Sequence, residues 1–445
     1  MRTCSARVHD LNASLIGMLA THGITLTPIS PLGAAVRGLD LRHRPSEEVL
    51  SALQSAMATR GFVVFKEQGQ LSGDEQVKAS EYWGGRKMHS THGVHPEAPN
   101  KHIFRLANDR NVGILGVGPQ WHNDGSFERG VFSHVGYHII RVAEGGGGTI
   151  FAHQGAAFDA LPEEEQERWQ RLVSVNSNSG VLHPVVHTHP ISGRKSVYLH
   201  LGMTGAVIEV TPKPDDPKTP EKLRLLEKDE MRHLFQTYNA LLNKGFAPGS
   251  EDLLASAPPY GATVEVTGLQ AKPELNGRTG VVNGVLDRTN GRVAVELERA
   301  GGAAEDEAAT ASEAAVRLAV KPANLIVHKS ALTDGAADPA ADEQAEAAAV
   351  DEAAYAAVYE YEEGDCIFID NLAIAHRAAP EAHKDYKEVG LRILHRTTIK
   401  AMINFDPPFG LPPQANMHGP NPLGQGVWQG GGLGFRWDET IPMQN

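Results

Sequence analysis

His122 and Asp124 stand in the stretch Pro119-Gln120-Trp121-His122-Asn123-Asp124-Gly125-Ser126-Phe127 and offer an imidazole and a carboxylate two residues apart. On a strand, that spacing turns both side chains to one face. One further imidazole from far along the chain would complete a set of two histidines and one carboxylate. Such a set holds ferrous iron on one face and leaves positions open for oxygen and a co-substrate. The pair is a weak signal by itself. The chain has 21 histidines, and the same spacing recurs at His95/Glu97 and His383/Asp385. Those two pairs fall in a proline-bearing and a lysine-rich stretch and read as surface residues.

The elements that would position such a site are mostly short strands. A helix is expected over 8–22, then strands at 24–28 and 33–40. A second helix runs from the N-cap Ser46 to Arg60, with Gly61 closing it. The run 61–65 reads as a buried strand and 72–83 as a helix. From 100 to 210 the chain is rich in strands, at 103–106, 132–140 and 149–152, with a helix at 156–172 and a hairpin pairing 181–187 with 195–200 across Ser192-Gly193. Gly145-Gly146-Gly147-Gly148 precedes a strand and reads as a turn, not as a phosphate cradle. The pattern fits a two-sheet jelly roll with flanking helices better than a parallel sheet, a mainly β fold of the α+β kind.

Near Pro258 the texture changes. Four short β segments, at 263–266, 279–282, 292–297 and 325–327, with Asn276-Gly277 and Asn290-Gly291 turns, predict a small SH3-like β-barrel over 258–330. It is inserted, because the apolar strand 364–371 afterwards resumes the main scaffold. Residues 331–357, dominated by Ala, Asp and Glu, read as a linker. The expected organisation is therefore a discontinuous jelly-roll domain of 1–257 and 358–445, interrupted by a barrel and its connector.

With 445 residues, 41% of them hydrophobic, the chain can bury a large core. The net charge of -13 is concentrated. Residues 303–352 carry 11 acids against Arg317, Lys321 and Lys329, so that segment supplies -8 of it. With no basic stripe and no apolar run of membrane-spanning length, neither nucleic acid nor a membrane is an expected partner. Two distant cysteines, Cys4 and Cys366, suggest a reducing compartment, and a cytoplasmic location is expected. The first residues faintly resemble an organelle transit peptide, but a short amphipathic helix is the simpler reading.

Four separated pieces, in order, resemble the Fe(II)/2-oxoglutarate-dependent dioxygenases of the taurine dioxygenase (TauD/TfdA) family. They are Pro31-Leu32-Gly33-Ala34-Ala35-Val36-Arg37-Gly38-Leu39-Asp40 with the strand 61–65, then Trp121-His122-Asn123-Asp124, then Gly146-Gly147-Gly148-Thr149-Ile150-Phe151-Ala152, and finally Asp370-Asn371 to His376-Arg377 with Arg392 to Ile399. The resemblance covers 24–210 and 358–402. It implies that His122, Asp124 and His376 ligate Fe(II), that Arg392 grips the distal carboxylate of 2-oxoglutarate, and that Thr149 adds a hydroxyl. It sets Arg396 beside the substrate or co-substrate, and His92 and His95 along the substrate pocket. His122 and His376 lie 254 residues apart, long for this family, and the insertion accounts for the excess. The implied activity is that of an oxidoreductase: O2 and 2-oxoglutarate give succinate and CO2 while an unactivated C–H bond of a small, anionic substrate is hydroxylated. Asp124 argues against halogenation, which would need a small residue there, and Gly118 argues against taurine itself. The other reading is a non-catalytic, metal-binding jelly roll that serves as an interaction scaffold through the barrel. A homo-oligomer or protein partner could engage that barrel.

Overall fold

The computed structural model describes residues 8–88, 93–246, 263–282, 293–297, 317–321, 324–327, 354–401 and 408–411. Its largest sheet runs in the order Thr25–Pro28, Ala34–Arg37, Phe62–Phe65, Cys366–Asp370, Phe132–Arg141 and Ile393–Lys400. Gly85–Met88 and Phe104–Ala107 both pair with the last of these. All pairings in it are antiparallel except that of Ala34–Arg37 with Phe62–Phe65. Period-two alternation fixes what each face covers. Phe62, Val64, Ile367 and Ile369 face a core shared with the three-stranded sheet Ala356–Tyr359, Thr149–His153 and Ile374–Ala378. Val63, Phe65, Cys366 and Phe368 face the opposite way, with helix Glu47–Arg60 over them. Because both faces are covered, these strands read as unbroken apolar runs. Phe62 stacks on Phe151 across the sandwich at 4.6 Å between centroids. Burial of each such ring is worth about 1.5–3 kcal/mol.

The helices follow their caps. Ser46 accepts from the Val49 amide and Gly61 closes the helix at φ 87°. Ser72 and Glu75 form a reciprocal capping box ahead of Gly73–Ser80. The first helix is shorter than 8–22: Asn12 caps it from its side chain, so it spans Ala13–Thr21. The helix expected over 156–172 is two helices, Gln154–Asp159 and Glu163–Trp169, because Pro162 lacks the amide that a continuous helix needs. The strand expected over 181–187 splits into Leu182–Pro184 and Val186–Thr188, which belong to different sheets. Beyond 203 come a long hairpin, Thr204–Lys213 with Asp216–Leu225, and the helix Lys228–Lys244, which buries Met231, Leu234, Phe235, Tyr238 and Leu242 on one face. Among the described residues no helix is long and apolar enough to cross a membrane.

The inserted segment forms one antiparallel sheet in the order Arg317–Val320, Val293–Leu297, Thr279–Val282, Thr263–Val266 and Leu325–Val327. It has its own apolar centre of Val264, Val266, Val282, Val293, Val295 and Leu297. The strand Arg317–Val320 lies where the sequence reading set none. The linker ends earlier than 357, because Ala356–Tyr359 pairs with Thr149–Ala152 and belongs to the body. Residues 331–353 of the expected linker lie outside the described residues. The two ends of the interruption meet: the amides of Tyr355 and Ala356 both donate to the Gly245 carbonyl at 2.8 Å. The body is thus joined across the gap by its own hydrogen bonds. The Lys228 ammonium also reaches Glu296 of the insert at 2.8 Å.

Candidate active site

Backbone pairing brings the two distant histidines together. The His122 amide donates to the His376 carbonyl at 3.1 Å, and the His376 amide returns a bond to the His122 carbonyl at 3.0 Å. The bridge is a single residue pair, not the strand expected at His122, and Asp124 already lies in the turn that follows. That turn is held by Asn371, which accepts from the Asp124 amide at 2.9 Å and donates to the carbonyls of Asp124 and Phe132 at 2.9 and 2.7 Å. Gly125 closes it at φ 86°, where a Cβ would stand 2.6 Å from the Phe132 ring. Asn123 points the other way, donating to Gln154 and to the carbonyls of Asn371 and Ile374.

The ligand atoms of His122, Asp124 and His376 lie within 4.8 Å of one another. Asp124 is 3.8 Å from His122 Nε2 and 3.7 Å from His376 Nε2. The donor set fits a ferrous ion in three ways. His122 Nδ1 donates to the Gln120 carbonyl at 2.7 Å, which leaves the Nε2 lone pair for a metal. Among the described residues neither ring nitrogen of buried His376 has a hydrogen-bond partner, a costly arrangement unless something else occupies the site. Burial also holds His376 well below the usual imidazole range, so it is neutral. Burial by itself would raise the Asp124 carboxyl, but Arg396, His376 and His122 outweigh it and bring it down to about 2.

A pocket opens beside this cluster, lined by His122, Tyr137, Thr149, His376, Arg392 and Arg396 together with the apolar Leu106, Ile114, Val117 and Leu394. Arg392 is 8% exposed. Its Nε donates to the Gly147 carbonyl at 2.5 Å. Among the described residues it forms no ion pair, an unusual state for a buried guanidinium. The glycine turn makes that contact feasible: Gly147 has φ 117°, and a Cβ there would meet Arg392 Cδ at 3.0 Å. Thr149, the first residue after the turn, is buried and hydrogen-bonded to Tyr361. Arg396 is differently engaged. Its Nη1 lies 3.1 and 3.2 Å from the two Asp124 oxygens, and its guanidinium sits 4.8 Å above the Phe104 ring.

Of the remaining residues singled out in the sequence, His95 is not among those lining the pocket. Its Nδ1 accepts from the Glu97 amide, and its Nε2 lies 3.4 Å from the Arg110 carbonyl. His92 lies outside the described residues. Sequence reasoning missed Tyr361, the clamp formed by Asn371, and His200, whose ring lies 5.3 Å from that of His122. It also set His383 aside, yet His383 lines the pocket.

The profile described as "Taurine catabolism dioxygenase TauD, TfdA family" matches residues 25–245. This stretch, just under half of the chain, is similar to the TauD/TfdA family. The match ends where the TauD/TfdA region meets the insert, so His376 and Arg392 lie beyond it. Among curated relatives, an alpha-ketoglutarate-dependent sulfonate dioxygenase of Saccharomyces cerevisiae is 25% identical over 224 residues, 44% of this chain and 52% of that protein. Pentalenolactone F synthase of Streptomyces arenae is 27% identical over 227 residues, 42% of this chain and 75% of that protein. The chain thus spans about half the length of the yeast relative. A taurine dioxygenase from Burkholderia xenovorans of known structure is 15% identical, with a TM-score of 0.47, covering 86% of this chain and 90% of that one. Alpha-ketoglutarate-dependent dioxygenases of the TauD/TfdA family use Fe(II) and 2-oxoglutarate, and the His-Asp-His set described above is of the matching type.

Proposed function

We propose that this chain is an Fe(II)/2-oxoglutarate-dependent oxygenase that hydroxylates an unactivated C–H bond of a small anionic organic molecule. One observation carries the reading: Arg392, a buried arginine that forms no ion pair among the described residues, lines the same pocket as His122 and His376. A metal cluster alone would suit many roles. A set of metal ligands facing a guanidinium with no carboxylate partner among the described residues suits a carboxylate-bearing ligand held against the metal.

Fe(II), when bound by His122, Asp124 and His376, would supply the redox chemistry that turns O2 and 2-oxoglutarate into succinate and CO2 and hydroxylates the substrate. The protein groups hold and orient. Arg392 and Thr149 would receive the distal carboxylate, while Arg396 and Asn371 fix the Asp124 carboxylate and its backbone. Leu106, Ile114 and Leu394 exclude water from the wall between them. Arg396 also lines the pocket, so it offers positive charge to an anionic substrate, and the name of the yeast relative, a sulfonate dioxygenase, supports that class. We read the 263–327 sheet as an SH3-like barrel outside the chemistry, a surface open to a protein partner or a second copy.

The test supplies protein, Fe(II), 2-oxoglutarate and O2 with a panel of sulfonates, carboxylates and sulfate esters. Succinate should form in proportion to a hydroxylated product for at least one of them, and the His376→Ala variant should form neither. Folded protein that yields no succinate with any of them, or a His376→Ala variant as active as the parent chain, would contradict the proposal.

A further inference from the structure

Tyr361 sits where two polar groups of the pocket meet. The strand Ala356–Tyr359 pairs with Thr149–His153 in a register that sets Tyr359 opposite Thr149, and Tyr361 follows two residues later. Its hydroxyl hydrogen-bonds to Thr149 Oγ1. Its ring lies beneath the Arg392 guanidinium, with Cζ 5.6 Å from the centroid. The side chain is 8% exposed. Burial raises the phenol above its ordinary range, although Arg392 and the Thr149 bond oppose that shift, so Tyr361 carries its proton.

A carboxylate accepts hydrogen bonds and donates none. Thr149 has a single hydroxyl hydrogen. If that hydrogen were given to Tyr361, Thr149 would meet the carboxylate with lone pairs alone. The arrangement that binds a carboxylate is the one in which Tyr361 donates to Thr149. We infer that Tyr361 is a positioning residue for the distal carboxylate of the co-substrate: its O–H donates to Thr149 Oγ1, turning the Thr149 hydrogen into the pocket, while its ring face supports the Arg392 cation. The inference rests on the 2-oxoglutarate reading above and assigns a role to a residue that touches neither the metal ligands nor the substrate.

The experiment uses the full chain loaded with Mn(II), without oxygen, and measures binding by calorimetry. The probes are 2-oxoglutarate and 2-oxopentanoate, which lacks the distal carboxylate. Tyr361→Phe keeps the ring and removes the hydroxyl. It should weaken 2-oxoglutarate binding about tenfold, the scale of one lost hydrogen bond to a charged site, and leave 2-oxopentanoate binding unchanged. Thr149→Val should weaken 2-oxoglutarate to a similar degree, and the double variant should go no further, since Tyr361 acts through Thr149. Unchanged 2-oxoglutarate binding in Tyr361→Phe would overturn the inference. So would equal loss for both probes, which marks a merely structural role, or additive effects in the double variant. If the parent chain binds no 2-oxoglutarate, the functional reading falls and takes this inference with it.

Discussion

Asp124 shows how far a candidate metal ligand is positioned by its neighbours. Its carboxylate faces Arg396 and two imidazoles, while its backbone is clamped by the Asn371 side chain. Asn371→Ala removes three hydrogen bonds from a fully buried residue. Metal affinity, read by Co(II) titration, should fall roughly 10–100-fold, as it does when groups supporting ligands are lost. The midpoint of thermal unfolding should drop as well. Unchanged metal affinity would mean that the turn holds Asp124 without Asn371. At this scale the three residues that cluster, His122, Asp124 and His376, were legible as candidates, because residue type and order carry them. The supports were not. Tyr361 and the pairing of Arg396 with Asp124 depend on strands that meet only after folding, across separations of 212 and 272 residues.

At the scale of elements, the apolar runs 61–65 and 366–370 announced their buried strands, and Ser46, Ser72 and Gly61 announced helix ends through capping chemistry. The helix Lys228–Lys244 was equally periodic, yet its role is visible only in packing: it lies against the body, and Tyr238 takes a hydrogen bond from Gln154, which also holds Asn123. Pro162 divided one expected helix, and tertiary pairing divided one expected strand. The insertion was legible as a change of texture, but its far boundary was not, because alanine-rich sequence gives no sign that Ala356 pairs with Ala152. Since Gly245 and Tyr355 already bond, replacing 247–353 with a short Gly-Ser link should cost little loop-closure free energy, on the order of 1 kcal/mol. The shortened chain should stay monodisperse and bind Mn(II) and 2-oxoglutarate within about threefold of the parent. Loss of both binding activities in a folded product would give the insert a part in the site.

Among the described residues, several buried histidines are held in the neutral form. Burial depresses His183 and His187 to about 4 and His395 to about 3, with Arg105 adding to the last. Above the unfolded value near 6.5, both states leave these rings neutral and stability is unaffected. As pH falls through 6.5, the unfolded chain takes up protons that the folded chain refuses, so stability is lost until pH reaches the folded values. Each ring contributes about 1.4 kcal/mol per pH unit in that window. Asp124 and Asp370, both held near 2, add to the loss below about pH 4. Urea midpoints should therefore change little from pH 8 to 7 and fall steeply from 6 to 4.5. A flat profile across that lower range would contradict the burial of these rings.

On the proposed function, one pocket joins a three-ligand iron site to an arginine that receives a carboxylate. The most direct measurement is anaerobic: Fe(II) and 2-oxoglutarate are added to metal-free protein, and the visible absorption of the iron-chelated 2-oxo acid is followed. A band should appear that needs both additions, is absent in His122→Ala, and in Arg392→Ala requires at least about thirtyfold more 2-oxoglutarate. Folded protein that gives no band, or an Arg392→Ala variant that titrates like the parent chain, would contradict the proposed function.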